Sequence, residues 1–411
     1  MREELLEVYE RARAWAVARG HAGHDPFDAL NSRLFQSTPL RRSRLARLAW
    51  TQAFKRSRFS PRTLALVPAG RNSKGTALFA LAALARLRAT RSQEHADEAR
   101  ALLEDLLDAR IETRGGAAWG YNFDWQGRAF YAPRGTPTVV PTAFAVRALV
   151  EAAQAFNSAS HDDERSDGDV ARAASRKYLD AAREACEFIV GDLNRSDESE
   201  EEVCFSYTPL DRTRVFNASL LAGEALASTG ALAGKSEWTE LALRAANYVA
   251  RRQREDGSWA YGADSYQSWA DNFHTAFILT SLARIRDACG DENHAEAFGE
   301  IRRALARGYA FWRTSFFLAD GLPKYYHRAA YPADAHSAGA AVVAFAELKD
   351  SEADALTLAR RVAAWAVREL FDGRGFFYYQ RRRFYKVRTP YMRWSQGWMT
   401  YALARLLETM N

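Results

Sequence analysis

The chain predicts an all-α fold, an (α/α)6 toroid, from three observations. A unit returns six times, in which an aromatic, glycine-bearing loop leads into a small-residue helix that opens on a polar residue. The openings fall near Asn72, Thr142, Asn217, Asn272, Asp334 and Arg393, at intervals of 55 to 75 residues, room for one outer helix, a loop and one inner helix. The inner segments are apolar on nearly every face, as helices enclosed on all sides must be, whereas the segments between them carry charge on one face only.

Residues 1–19 and 40–55 have helical periodicity, with the polar loop HAGHDPFDALNSRLFQSTP between them; residues 1–60 are read as N-terminal helices with a lid-like loop. Asn72 or Ser73 caps the first inner helix, GTALFALAALARL. PTAFAVRALVEAA, NASLLAGEALA, NFHTAFILTSLARI, DAHSAGAAVVAFAEL and MRWSQGWMTYALARLLE follow as the other five. Outer partners are expected near 93–109, 171–191, 236–253, 295–315 and 352–370. Gly223, Gly339, Ala340 and Gly397 permit close approach of inner helices. Two runs, 157–170 with HDDERSDGD and 195–203 with SDESEEE, read as solvated surface insertions in what is otherwise a single domain spanning 1–411.

With 411 residues, 48% of them hydrophobic, the chain can bury one large core. Its net charge of +6 is modest, gives nucleic-acid binding no support, and is read mainly as solvated helix faces. Cys186, Cys204 and Cys289 lie far apart with no metal-ligand spacing, so neither a disulfide framework nor a zinc site is expected. No cofactor is indicated. The charged segment MREELLEVYERARAWAVARG lacks a signal-peptide core, and no long apolar run suggests stable membrane insertion, so the expectation is a cytoplasmic protein; no oligomeric state is assigned.

Alternating helices bring every outer-to-inner loop to one end of the ring. Those loops are rich in Trp and Tyr, interleaved with Arg128, Arg134, Arg212, Arg214, Lys324, Arg328, Arg381, Arg382, Arg383, Lys386, Arg388 and Arg393. Together with the inner-helix N-termini they predict an electropositive mouth that favours an anion. About half of the aromatics, Trp259 and Phe376 among them, are expected to wedge between helix pairs, and the rest to line a cavity where sugar rings stack.

Two inner-helix starts carry an acid and a histidine: Asp271 with His274 in WADNFHTAF, and Asp334 with His336 in YPADAHSAG. A histidine beside a carboxylate suits proton transfer at a glycosidic oxygen or at the carbon next to a carboxylate, so these four are the candidate catalytic residues. The bland alternative is that each histidine satisfies a buried carbonyl. Candidate substrate contacts are Tyr121, Asn122, Asp124, Trp125, Arg128, Asn217, Tyr261, Trp269, Asn272, Lys324, Tyr325, Tyr391, Arg393, Trp394 and Gln396; lid candidates are His24, Asp25 and Asp28, with an N-cap role equally open for Asp28. Paired carboxylates for glycoside hydrolysis can be drawn from Asp124, Asp271 and Asp334. No metal ligand set is read.

The segment YVARRQREDGSW, with Tyr248, Val249, Gln253, Gly257 and Trp259, resembles the QW motif of squalene and hopene cyclases, although their DxDD acid motif is missing. Over nearly the whole chain, DPFDALNS, WGYNFDWQ, DNFHTAF and YMRWSQGWM resemble uncharacterised toroid proteins of capsule and lipopolysaccharide gene clusters. In build the chain is similar to unsaturated glucuronyl hydrolases, toroidal polysaccharide lyases and sugar 2-epimerases. These resemblances imply an enzyme acting on an anionic, uronate-containing saccharide by hydrolysis, elimination or epimerisation. An isoprenoid cyclase or prenyltransferase-like enzyme and a non-catalytic glycan-binding or assembly protein are the alternatives.

Overall fold

A computed structural model describes residues 1–127, 130–161, 166–290 and 295–410. Its helices are α1 (Arg2–Val17), α2 (Arg33–Gln36), α3 (Arg44–Arg56), α4 (Ser73–Thr90), α5 (Gln93–Asp108), α6 (Val139–His161), α7 (Ser166–Gly191), α8 (Phe216–Ala233), α9 (Ser236–Ala250), α10 (Asn272–Cys289), α11 (Ala295–Ser315), α12 (Ala335–Glu347), α13 (Ala355–Leu370) and α14 (Trp398–Glu408). Inner helices α4, α6, α8, α10, α12 and α14 each pack on the next, and α14 packs back on α4. The ring is an (α/α)6 toroid. Its sixth outer position is taken by α1, which packs on α14 through Leu5, Val8, Tyr9, Ala12 and Ala16.

The inner helices start where the sequence supplies caps. Asn72 accepts from the Gly75 amide at 3.3 Å, Asp271 from His274 at 3.0 Å and Asp334 from Ser337 at 2.9 Å. Helix spacing is set by small residues: a Cβ added at Gly339 would come within 2.9 Å of the Trp398 carbonyl oxygen, which cannot move aside. By length and composition Val139–Ser158 is apolar enough to cross a bilayer, but 83% of its apolar window is buried inside the ring.

The second acidic run does not stand off as a free excursion. Helices α6 and α7 extend into 157–161 and 166–170, and 162–165 lie outside the described residues. Arg195–Glu198 pairs with Val203–Phe205 as a hairpin, laid along the basic edge of α9. Glu198 meets Arg244 at 2.9 Å, Glu201 meets Arg251 at 2.6 Å and Glu202 meets Arg252 at 2.8 Å. The segment YVARRQREDGSW ties neighbouring hairpins together. Gln253 donates to the Gly257 carbonyl at 3.0 Å and to that of Ala304 in α11 at 2.9 Å, while Trp259 donates to Val249 at 2.9 Å. Gly257 turns at φ +86°, and a Cβ there would lie 2.6 Å from the Arg307 oxygen.

The inner helices depart from the expectation of an all-apolar surface. Below the mouth they carry a network of four arginines and four glutamates, buried at Arg147 and Glu224 and part-exposed at its edge: Arg88, Arg147, Arg284, Arg405, Glu151, Glu224, Glu347 and Glu408. Every inner helix contributes at least one member. Arg147 grips Glu224 through two bonds of 2.7 Å, and Arg284 reaches Glu347 at 3.0 Å, Glu151 at 3.3 Å and Glu224 at 3.5 Å. Ser281 donates to Glu224 at 2.7 Å. At its buried centre a missing member is costly, because removing Arg147 or Glu224 would leave the other without its main partner.

Burial alone would raise the Glu347 carboxyl, but Arg284 and Arg405 outweigh it and bring it down to about 2. A carboxylate with a depressed folded pKa stabilises the fold above its unfolded value and loses that contribution as pH falls toward the folded one. The stability at stake, on the order of 3 kcal/mol, should therefore drain away between about pH 4.5 and pH 2. Thermal melts should show a steep acid-side decline in wild type. Glu347→Gln should melt lower at neutral pH and show a flatter decline below pH 4.5; parallel curves would refute this.

Candidate active site

At the N-terminal end of the inner ring lies a cavity of about 590 Å³. Its wall is mostly aromatic. Tyr261 stacks on Trp269 at 4.7 Å with planes 13° apart, and Tyr121 on Phe123 at 5.1 Å and 12°. Trp125, Tyr207, Tyr325, Trp394 and Phe27 continue the lining. Three aliphatic side chains reach it, Leu48, Val140 and Val215. Most of the rings are Tyr or Trp, so the surface offers hydroxyl and indole edges as well as apolar faces.

Asp271 does two jobs from the N-cap of α10. One carboxylate oxygen accepts the His274 amide; the other lies 2.7 Å from His274 Nδ1 and also accepts the Trp269 indole at 3.2 Å. The bonded carboxylate fixes the tautomer with the proton on Nδ1, leaving Nε2 as the basic nitrogen. Asp271 is 2% exposed and His274 is partly open to the cavity, held between Tyr261 at 4.7 Å and Phe273 at 4.1 Å.

His336 lines the same cavity and is 1% exposed. Phe273 stacks on it at 4.4 Å, with Trp394 edge-on at 4.1 Å and Trp398 at 4.9 Å, and neither ring nitrogen has a hydrogen-bond partner. Burial, then Lys74 and Arg393, push its pKa well below the ordinary imidazole value, so it is neutral at neutral pH. Phe273 touches both imidazoles.

The second acid does not pair with its histidine. Asp334 is fully buried, accepts the Ser337 amide at 2.9 Å and the Trp394 indole at 3.1 Å, and lies outside the lining. It is a cap that anchors Trp394, in place of the acid/base partner expected for His336.

Arg393 and Trp394 reach the cavity from a π-helical turn, Met392–Gly397, which opens α14. Arg393 is fixed by Asp25 through bonds of 2.6 and 2.8 Å. Asp28 is paired with the buried Arg62 at 2.7 Å, Arg62 donates to Tyr391 at 2.8 Å, and His24 Nδ1 lies 3.3 Å from Asp28. His24, Asp25 and Asp28 thus pin the N-terminal strap beside the cavity, with Asp28 held by Arg62 and Asp25 by Arg393. Two cationic side chains the sequence reading passed over complete the lining: Lys55 from α3, 4.4 Å from the Phe27 ring, and Lys74 in the first turn of α4.

Of the predicted contacts, Tyr121, Trp125, Asn217, Tyr261, Trp269, Tyr325, Arg393 and Trp394 line the cavity with Asp271, His274 and His336. Asn217 presents an oxygen with no partner. Five others are occupied in holding loops. Asn122 bonds Asn72 at 2.8 Å, Asp124 bonds Tyr131 at 2.8 Å, Asn272 takes the Trp312 indole at 2.9 Å, Lys324 donates to the Ser315 carbonyl at 2.9 Å, and Gln396 clamps the Phe377 backbone at 2.7 and 2.8 Å. Tyr391 is held by Arg62, and Arg128 lies outside the described residues. Of the described loop cations, Arg393 alone enters the lining, because others such as Arg214 turn to acids outside it, here Asp264 at 2.6 Å.

The sequence matches no protein-family model and no curated protein. The fold is similar to that of a possible member of the GH105 family from Salmonella enterica serovar Paratyphi A (TM-score 0.63, 11% identity, covering 100% of this chain and 94% of that one). It is also similar to cellobiose 2-epimerase from Bacillus thermoamylovorans (0.58, 12%, 83% and 88%) and to a glycosyl hydrolase of family 88 from Bacteroides vulgatus (0.58, 9%, 100% and 99%). At these identities the likeness is one of fold.

Nitrogen-15 NMR of the imidazoles should show His274 as the Nδ1–H tautomer at high pH, an assignment that Asp271→Asn removes. His336 should titrate below the ordinary imidazole range; a midpoint at or above 6.5 would contradict the buried, unpartnered ring.

Proposed function

We propose that this protein is a sugar-active enzyme that transfers a proton at the carbon next to a carbonyl or carboxylate of an anionic, uronate-containing saccharide, by epimerisation or elimination. One observation carries the reading: the Asp271–His274 dyad and the neutral His336 face a single aromatic cavity. A base oriented by a carboxylate removes the proton, and a second imidazole lining the same cavity can return it or pass it to a leaving group. Lys55 and Arg393 add positive charge at the lining, which suits the carboxylate of the substrate and the enolate that forms as its proton leaves.

Three features support this choice over its rivals. Hydrolysis by the two-carboxylate route needs a second acid, and Asp271 is the only Asp or Glu among the described lining residues. An isoprenoid cyclase would favour Phe and aliphatic walls, whereas most rings here carry a polar edge. A passive glycan-binding site has no use for an imidazole held in one tautomer. The three free cysteines fit a reducing compartment, and we place the protein in the cytoplasm on that basis.

The test is a screen of uronic-acid oligosaccharides in heavy water by mass spectrometry. Deuterium gained without cleavage reports epimerisation, an unsaturated product reports elimination, and cleavage with neither reports hydrolysis. His274→Asn and His336→Asn should each slow the reaction by about 10²–10⁴-fold. Saccharide binding without turnover, or a double variant as active as wild type, would overturn the reading.

A further inference from the structure

The cavity holds a reactive group that the histidine chemistry leaves unused. Lys74 is 2% exposed, and its Nζ lies 4.2 Å from the Phe144 ring centroid, 4.9 Å from that of Phe277 and 5.3 Å from that of Trp398. No described carboxylate stands within ion-pair distance of it. The charged groups acting on it are Arg393 and Arg147, opposed by Asp25. The first turn of α4 adds the positive end of its helix dipole. Burial, then Arg393 and Arg147, hold the amine well below the ordinary lysine range. A lysine desolvated among rings and beside cations gives up its proton more readily than a surface lysine, and the free amine is the state in which lysines attack carbonyls.

We propose that Lys74 is a nucleophile that condenses with the open-chain aldehyde at the reducing end of the sugar substrate. This rests on the sugar-active reading above and narrows the substrate to saccharides with a free reducing end. The Nζ–C1 bond forms, the carbonyl oxygen takes up two protons and leaves as water, and a protonated imine results. Electrons of the C2–H bond flow toward the iminium nitrogen as a histidine takes the C2 proton. The proton returns to either face of C2, and water then cleaves the C–N bond, restoring the amine and releasing the aldose. No oxidant or reductant is consumed. Rings around the amine shield the imine from early hydrolysis.

The experiment treats the whole protein at neutral pH with glycolaldehyde or glucuronic acid plus cyanoborohydride, then maps adducts by peptide mass spectrometry. A single reduced adduct at Lys74, formed at least tenfold faster than at any surface lysine, is expected. Adducts confined to surface lysines would overturn the proposal. In the heavy-water assay Lys74→Met and Lys74→Arg should both lose at least 100-fold in exchange, while Lys74→Met melts no lower than wild type because it buries no amine. If Lys74→Arg kept wild-type exchange, the residue would serve only as a charge and the imine would be excluded, leaving proton transfer by the histidines intact. An adduct at Lys74 with no sugar exchanging deuterium would uphold the nucleophile and remove the epimerase reading instead.

Discussion

Everything in this molecule depends on running six inner helices side by side with the same polarity. Parallel dipoles repel, and their ends concentrate partial charge: positive amide groups at the mouth, negative carbonyls at the opposite end. The chain answers unevenly. Toward the carbonyl end it inserts the arginine and glutamate network, in which each inner helix takes part. At the mouth it places capping side chains, two of them aspartates, and then leaves Lys74 and His336 without a carboxylate of their own. The stable end is electrically complete, and the open end is left short of negative charge.

That imbalance explains why the aspartates matter unequally. Both cap an inner helix, and each takes an indole on its second oxygen, Trp269 for Asp271 and Trp394 for Asp334. The difference is one residue of spacing. His274 sits three positions after its aspartate, so its ring folds back on the cap, whereas His336 sits two positions after and points among the aromatic rings of the cavity. One imidazole is thereby oriented and the other isolated.

Much of the fold could be read from residues, because buried helices must be apolar all round and caps mark their starts. Asn72, Asp271 and Asp334 each begin a helix within one residue of the expected place. What escaped was long-range. Nothing in residues 1–19 says that their apolar stripe belongs against α14, and scattered Arg and Glu in α4, α6, α8, α10, α12 and α14 look like ordinary helix charges until the ring brings them together. The site was half legible for the same reason. Aromatics and the two histidines announce themselves by position, while Lys74 follows a capping asparagine and reads as a surface lysine. The loop arginines misled because charge in a loop says nothing of direction, and side chains such as Arg214 satisfy themselves on acids outside the cavity.

The placement of α1 has a consequence for biosynthesis. Its buried face is complemented by a segment that leaves the ribosome nearly the whole chain length later, at synthesis rates of about 5–20 residues per second some tens of seconds afterwards. Until then Leu5, Val8 and Tyr9 have no lasting cover, and the nascent toroid is an open crescent with two sticky margins. A cell making this protein must keep those margins apart from one another's copies until α14 arrives to close the ring.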